Sequence, residues 1–238
     1  MQRKLGEDES RPVVKLSKQA LVIVADTTFF SRANGLTVFR APHLKKNVWW
    51  QATIQERAEV YLKGKTHLEQ NGFAIQAVVL DGRRGMRGVF AGIPIQMCHF
   101  HQKQIVKRRL TTRPKIEASR ELKTVTDTLP KTNEPTFAAN LSAWHEKWKD
   151  FLKQKTTDLN TGRWFYTHKR VRAAYRSLKT NLPYLFTYQK YPELNIPNTT
   201  NSLDGFFNRL KSLVFVHRGL KPSRRMKIIV EILKGRND

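Results

Sequence analysis

The order in which short apolar runs alternate with helix-period segments constrains this chain more than any other feature. Ala20-Leu-Val-Ile-Val-Ala25 is a β-branched run that stops at Asp26, the pattern of a strand buried on both faces. Asn34-Gly35 marks a turn into Leu36-Thr-Val-Phe39, and Val48-Trp-Trp-Gln-Ala52 supplies a third strand, so the chain opens with a meander. From Ile54 to Gln70 the period becomes helical, with Ala58, Tyr61, Leu62 and Leu68 on one side and Asn71-Gly72 as the stop. Ala74–Leu80 reads as a buried strand ending at Asp81-Gly82. Gly85–Ala91 reads as a short helix, Ile93–Met97 as another strand, and His99–Leu110 as a basic helix.

Three strands in a meander, followed by strands separated by helices, predict a mixed sheet with antiparallel pairing first and parallel pairing after. That is the α/β order of an RNase H-like sheet. Beyond residue 110 the period is helical. Phe137, Leu141, Trp144, Trp148, Phe151 and Leu152 form one wide apolar stripe, and a further helix is expected over Arg163–Lys179. The expected organisation is a basic tail over 1–18, the first part of the core over 19–110, an all-helical insertion over 111–190, and the final core helices over 191–238. The last part opens with a Pro-containing loop, continues in a helix from Asn201 that buries Phe206, Phe207, Leu210, Leu213 and Val214, and ends in a helix over Met226–Leu233.

Charge narrows the partners. Lys plus Arg number 44 against 19 Asp plus Glu, a net charge of +25. Such an excess repels itself unless a polyanion is near, which makes nucleic acid the expected partner. Residues 160–238 carry a net +12, against +7 for the longer stretch 1–98. The single cysteine, Cys98, excludes an internal disulfide framework and any zinc site built on paired cysteines. No apolar run approaches the ~18 residues of a membrane span, and no signal-peptide segment opens the chain. The expected location is the cytoplasm, at the nucleoid.

Two carboxylates occupy equivalent places after strands, Asp26 and Asp81, and in the predicted sheet those strands are neighbours. Clustered carboxylate oxygens suit a hard divalent ion, Mg2+ or Mn2+, and phosphoryl transfer. Either aspartate alone is equally an ordinary turn residue. A third acid would come from Glu193, Asp204 or Glu231. Asp204 sits in the first turn of its helix, where a capping box with Asn201 and the helix dipole favour an acid regardless of function.

The motifs Val24-Ala-Asp26-Thr-Thr-Phe-Phe, Val79-Leu-Asp81-Gly, Cys98-His-Phe-His101 and Thr200-Asn-Ser-Leu-Asp204-Gly-Phe-Phe-Asn-Arg-Leu-Lys211, with His217-Arg-Gly219, together resemble the catalytic domain of bacterial insertion-sequence transposases of the Mutator-like DDE superfamily. The resemblance spans roughly residues 19–234. It implies an RNase H-like fold with a helical insertion, divalent metal, and DNA cleavage and strand transfer at insertion-sequence ends. It implies that Asp26, Asp81 and Asp204 are the catalytic metal ligands, although that group more often carries Glu at the third place. Cys98 and His101 match its Cys-x-x-His signature, and we expect His101 near the carboxylates with Cys98 packed behind it.

Lys107, Arg108 and Arg109 on one helix, Arg163, Lys169 and Arg170 on another, and Arg209 and Lys211 near the end are the expected DNA contacts. The expected partners are element-end and target DNA, further copies in a dimer or larger synaptic complex, and a separate end-binding module, since about 20 residues precede the first strand. The rival readings are a decayed, non-catalytic DNA-binding remnant and an RNase H-like nuclease that cuts without joining.

Overall fold

The computed structural model describes residues 20–32, 34–215 and 219–234. The expected basic tail, and His217 and Arg218 of the last motif, lie outside the described residues. The chain is a mixed α/β protein built on a five-stranded sheet. Strand β1 spans Ala20–Ser31, β2 Asn34–Ala41, β3 Lys46–Thr53, β4 Ala74–Leu80 and β5 Ile95–Met97. Their order across the sheet is β3-β2-β1-β4-β5. The meander β1–β2–β3 pairs antiparallel, and β1, β4 and β5 pair parallel.

Side chains alternate along each strand between two covered faces. Leu21, Ile23 and Ala25 of β1 join Phe39, Trp49, Val78 and Leu80 beneath helix α1 (Ala58–Gln70) and the short helix α2 (Arg84–Val89). Val22 and Val24 face the other way, with Leu36, Val38, Trp50 and Val79, beneath α8 (Asn201–Phe215) and α9 (Pro222–Lys234). Burial on both faces is why β1 and β4 read as unbroken apolar runs. Gly64 lets α1 lie close to the sheet: a Cβ there would stand 2.7 Å from the Trp49 ring and 2.8 Å from that of Phe39.

Between β5 and α8 come α3 (His99–Leu110), α4 (Glu117–Asp127), α5 (Glu134–Lys153), α6 (Lys169–Leu185) and the one-turn α7 (Thr187–Lys190). The α5 stripe is buried as expected at Phe137, Leu141, Trp144 and Leu152, against Val171, Ala174 and Leu178 of α6 and Leu122 of α4. Trp148 and Phe151 are only half-buried at its edge. The same cluster takes in Val106 and Leu110 of α3 and Met97 of β5, so its packing runs across residue 110 instead of stopping there. Strand β5, only three residues long, is covered along its edge. Gln96 Nε2 donates to the Leu185 carbonyl (2.9 Å), Thr187 Oγ1 donates to that of Ile95 (2.6 Å), and Tyr188 N–H donates to Gln96 Oε1 (3.0 Å).

Three expectations need correction. The segment 111–190 is not all helical: Lys155–Thr157 (β6) and Trp164–Tyr166 (β7) form an antiparallel hairpin, and the helix expected from Arg163 begins at Lys169. Its turn explains why. Asp158 Oδ1 accepts from the N–H groups of Asn160 (2.9 Å) and Thr161 (3.3 Å), Gly162 takes a positive φ of 65°, and the aromatic Trp164-Phe-Tyr run favours extended backbone. Strand β1 does not end at Asp26. It continues to Ser31, because β2 still pairs with it after β4 has ended. Helix α1 starts at Ala58 instead of Ile54.

Trp144, 4 % exposed, donates its Nε1–H to the Ala118 carbonyl at 3.0 Å and fills the centre of the helical cluster. Trp144→Ala is therefore expected to cost about 3–5 kcal/mol, and Trp148→Ala clearly less. Hydrogen exchange of the Trp144 variant should lose protection across α3, α4, α5 and α6 while β1 and β4 keep theirs. Equal loss in those two strands would contradict the separation of the clusters.

Candidate metal centre

The parallel register brings the two expected aspartates together. Val24 pairs with Val79, and Asp26 and Asp81 each follow two residues later, so they stand level on adjacent strands. Asp26 is 9 % exposed on the α8 side of β1, with Oδ1 accepting the Thr27 N–H at 2.8 Å. Asp81 follows β4, where its Oδ1 accepts the Arg83 N–H at 2.9 Å and Gly82 turns the chain away at φ 96°.

The third carboxylate beside them is Glu56. Oxygen atoms of Asp26, Glu56 and Asp81 all lie within 4.8 Å of one another, close enough to share a cation, and among the described residues this is the group of ligand-type side chains that does so. Glu56 precedes α1 and is fixed from both sides: Tyr61 Oη donates to Oε1 (2.8 Å), and Arg83 Nη1 pairs with Oε2 (2.8 Å). Sequence reasoning passed over it, because an acid just before a helix has an ordinary local explanation. The one available signal was its place at the start of the crossover from β3 to β4, which must return over the carboxyl end of the parallel strands.

Asp204 is not a member of this group. It lies in the first turn of α8, where Thr200 Oγ1 donates to its Oδ2 at 2.9 Å. Thr200 in turn meets Cys98: its N–H lies 3.3 Å and its hydroxyl 3.4 Å from the buried Sγ. Glu231 lies on α9, and Glu193 in a one-turn segment, Pro192–Leu194.

Electrostatics tie His101 to both sets. Burial pushes the Asp26 carboxyl up to about 7; the Thr27 N–H opposes this, Asp81 and Glu56 add to it, and His101 counters it. Glu56 is also raised, by burial first and by Asp81. His101 is pushed up to about 9, chiefly by its contact with the Cys98 sulfur and further by Asp26 and Asp81. Burial pushes the Cys98 thiol up, but His101 and Thr200 together outweigh it and leave the thiol below its ordinary value. His101 is thus an imidazolium facing the carboxylates, with Cys98, fully buried at the start of α3, behind it.

The donor set is all oxygen and anionic, and it is crowded enough to hold a proton that a hard divalent cation would displace. The residues therefore fit such an ion. Of the expected DNA contacts, Lys107, Arg108 and Arg109 occupy the exposed last turn of α3, where cations also complement the helix dipole. Arg163 lies on the hairpin turn, Lys169 and Arg170 open α6, and Arg209 and Lys211 lie on α8; all five are exposed.

Stability should depend on pH in a defined direction. Asp26 holds a proton in the folded chain up to about 7 that the unfolded chain releases near 3.8. Metal-free stability should therefore fall as pH rises from about 4 to about 7. The contribution of His101 is complete below 6.5 and declines towards 9, which extends the fall. Asp26→Asn removes the first penalty and keeps the acceptor for Thr27. In chelator at pH 8 it should raise stability by about 1–4 kcal/mol, at about 1.4 kcal/mol per tenfold change in proton affinity. Thermal melting reads both effects, and an Asp26→Asn variant no more stable than the parent at pH 8 would contradict the burial argument. No protein-family model and no curated protein matches the chain.

Proposed function

We propose that the chain is the catalytic core of a DNA transposase resembling the Mutator-like DDE group, RNase H-like in fold, which cleaves DNA at element ends and joins it to a target. The observation that supports this reading most is the convergence of Asp26, Asp81 and Glu56 at the carboxyl end of two parallel strands, on a chain of net charge +25. Three carboxylates on one point have no structural partner in each other, since they repel. They suit Mg2+ or Mn2+ beside a phosphodiester. When bound, such an ion supplies charge for the phosphoryl oxygens and acidifies a water.

In this reading Asp26 and Asp81 hold the ion from the sheet and Glu56 holds it from the α1 side. Tyr61 and Arg83 keep Glu56 aimed inward. The His101 imidazolium stands beside the carboxylates, placed to steady a phosphate oxygen or protonate a leaving 3′ oxygen. Asp204, the third ligand that the family resemblance implies, stands outside this trio, and its bond to Thr200 ties α8 to Cys98. Water attacks the phosphate at an element end, freeing a 3′ hydroxyl, which then attacks a target phosphate and displaces its 3′ oxygen. The exposed cations of α3, α6, α8 and the hairpin carry the phosphates on either side.

Nicking of a supercoiled plasmid in Mg2+ or Mn2+ reads cleavage, and capture of a labelled oligonucleotide 3′ end by that plasmid reads joining. Asp26→Asn and Asp81→Asn should each abolish both while leaving DNA affinity unchanged or slightly raised. Glu56→Gln should weaken Mn2+ binding in calorimetry. Nicking without joining would indicate the nuclease instead, and DNA binding with neither reaction would indicate a non-catalytic remnant.

Binding itself should be electrostatic. Affinity for random duplex should fall steeply with salt and show little sequence preference, and neutralising Arg163, Lys169 and Arg170 together should reduce the slope of log K against log salt by about 2–3. A tight complex insensitive to salt would contradict this.

A further inference from the structure

One cavity, of about 480 Å3, opens between the β2–β3 turn and α8, and its charged lining is entirely cationic: Arg40, Lys45 and Arg209. None of the three joins an ion pair among the described residues. The nearest acid in sequence, Asp204, has its carboxylate engaged by Thr200. Three like charges around one space raise each other's energy, and among the described residues no carboxylate pairs with any of them to offset that.

Arg40 is the least ordinary of them. It is half-buried, held by a bond from Nη1 to Asn47 Oδ1 (2.9 Å), with its guanidinium 5.9 Å from the Phe206 ring centre. Its Nε is buried without a hydrogen-bond partner among the described residues, and burial lowers the affinity of the group for its proton. Asn47 itself is 4 % exposed, so the guanidinium is oriented by a residue that cannot readily move. Lys45 is presented by a turn in which its own N–H bonds the Pro42 carbonyl (3.1 Å) and its φ is 55°.

Gly205 of α8 lines the same space, and a Cβ there would meet no atom within 4 Å. A glycine inside a helix costs about 1 kcal/mol relative to alanine, and here it leaves the cavity open. Arg40 pairs with Val24, two residues before Asp26 and on the same face of the sheet. Arg40 therefore stands about 7 Å along the strand direction and one strand over from that residue, a separation of a few phosphates along a nucleic-acid strand whose charges recur about every 3.4 Å of rise.

We propose that Arg40, Lys45 and Arg209 form a phosphate-binding subsite, with Asn47 orienting Arg40 and Gly205 leaving room for the ligand. Occupation by a strand phosphate rests on the DNA reading above, whereas occupation by a free phosphate does not.

Two measurements on the full chain test it: anisotropy of a labelled random duplex against salt, and thermal protection by inorganic phosphate against chloride at equal ionic strength. Arg40→Gln, Lys45→Gln and Arg209→Gln should each weaken duplex binding about fivefold near 0.15 M salt and reduce the salt slope by about 0.9. Gly205→Leu removes no charge and favours the helix, so it should fold, yet it should weaken the duplex to a similar degree by filling the space. Loss of phosphate protection in these variants with unchanged duplex affinity would identify the ligand as free phosphate. If the three charge variants weaken duplex binding but Gly205→Leu changes neither measurement, the cations are merely surface charge and the subsite is refuted. A chain protected by phosphate through these residues but unable to bind duplex would refute the DNA reading and leave the subsite standing.

Discussion

The parallel pairing of β1 with β4 is the constraint on which the rest of the molecule depends. With Val24 opposite Val79, the residues two places further along are both aspartates, and no other register would set them level. The pairing also decides which elements cover the sheet. A parallel neighbour requires a crossover, so the chain from β3 must travel over one face as α1 before entering β4, and in doing so it delivers Glu56 to the two aspartates. The site is thus a by-product of connecting the strands.

Keeping the two carboxylates level takes a rigid sheet, and both faces contribute. On one side α1 settles close through Gly64; on the other α8 and α9 cover Val22 and Val24. The cost appears at Asp26, a largely buried carboxyl beside two others, pushed up to about 7 by that burial. Energetically, the cluster of three carboxyls is the costly part of the core, because burial and like charge both oppose its ionisation. The His101 imidazolium relieves some of that cost, and its own proton is held through Cys98. The helical segment after β5 then serves as a buttress: it covers the outer edge of β5 with hydrogen bonds and shares its apolar cluster with α3, the helix that carries His101.

Much of this was legible in the sequence, and for local reasons. Strands buried on both faces announce themselves as β-branched runs, so β1 through β5 were found in order, and the order alone predicted antiparallel pairing before parallel. The α5 stripe was legible from its period. The hairpin at Lys155–Tyr166 was not, because Arg, Trp, Phe and Tyr spaced near a helix start mimic an amphipathic turn. Only the Asp158–Gly162 geometry settles it as a strand pair.

What the sequence determined by itself is the set of elements, their order, the excess of positive charge and the two aspartates at strand level, since each follows from local pattern or from a count. Tertiary structure alone decided the third carboxylate. Glu56 is 25 residues from Asp81 and 30 from Asp26 in the chain, and nothing in its neighbours marks it. It reaches the centre because α1 crosses the sheet, and Tyr61 and Arg83 hold it there. The same holds for Arg40, which reads as one more basic residue in a strand until α8 closes over it with Arg209 and Gly205. Proximity between residues distant in sequence is a property of packing, and no local pattern encodes it.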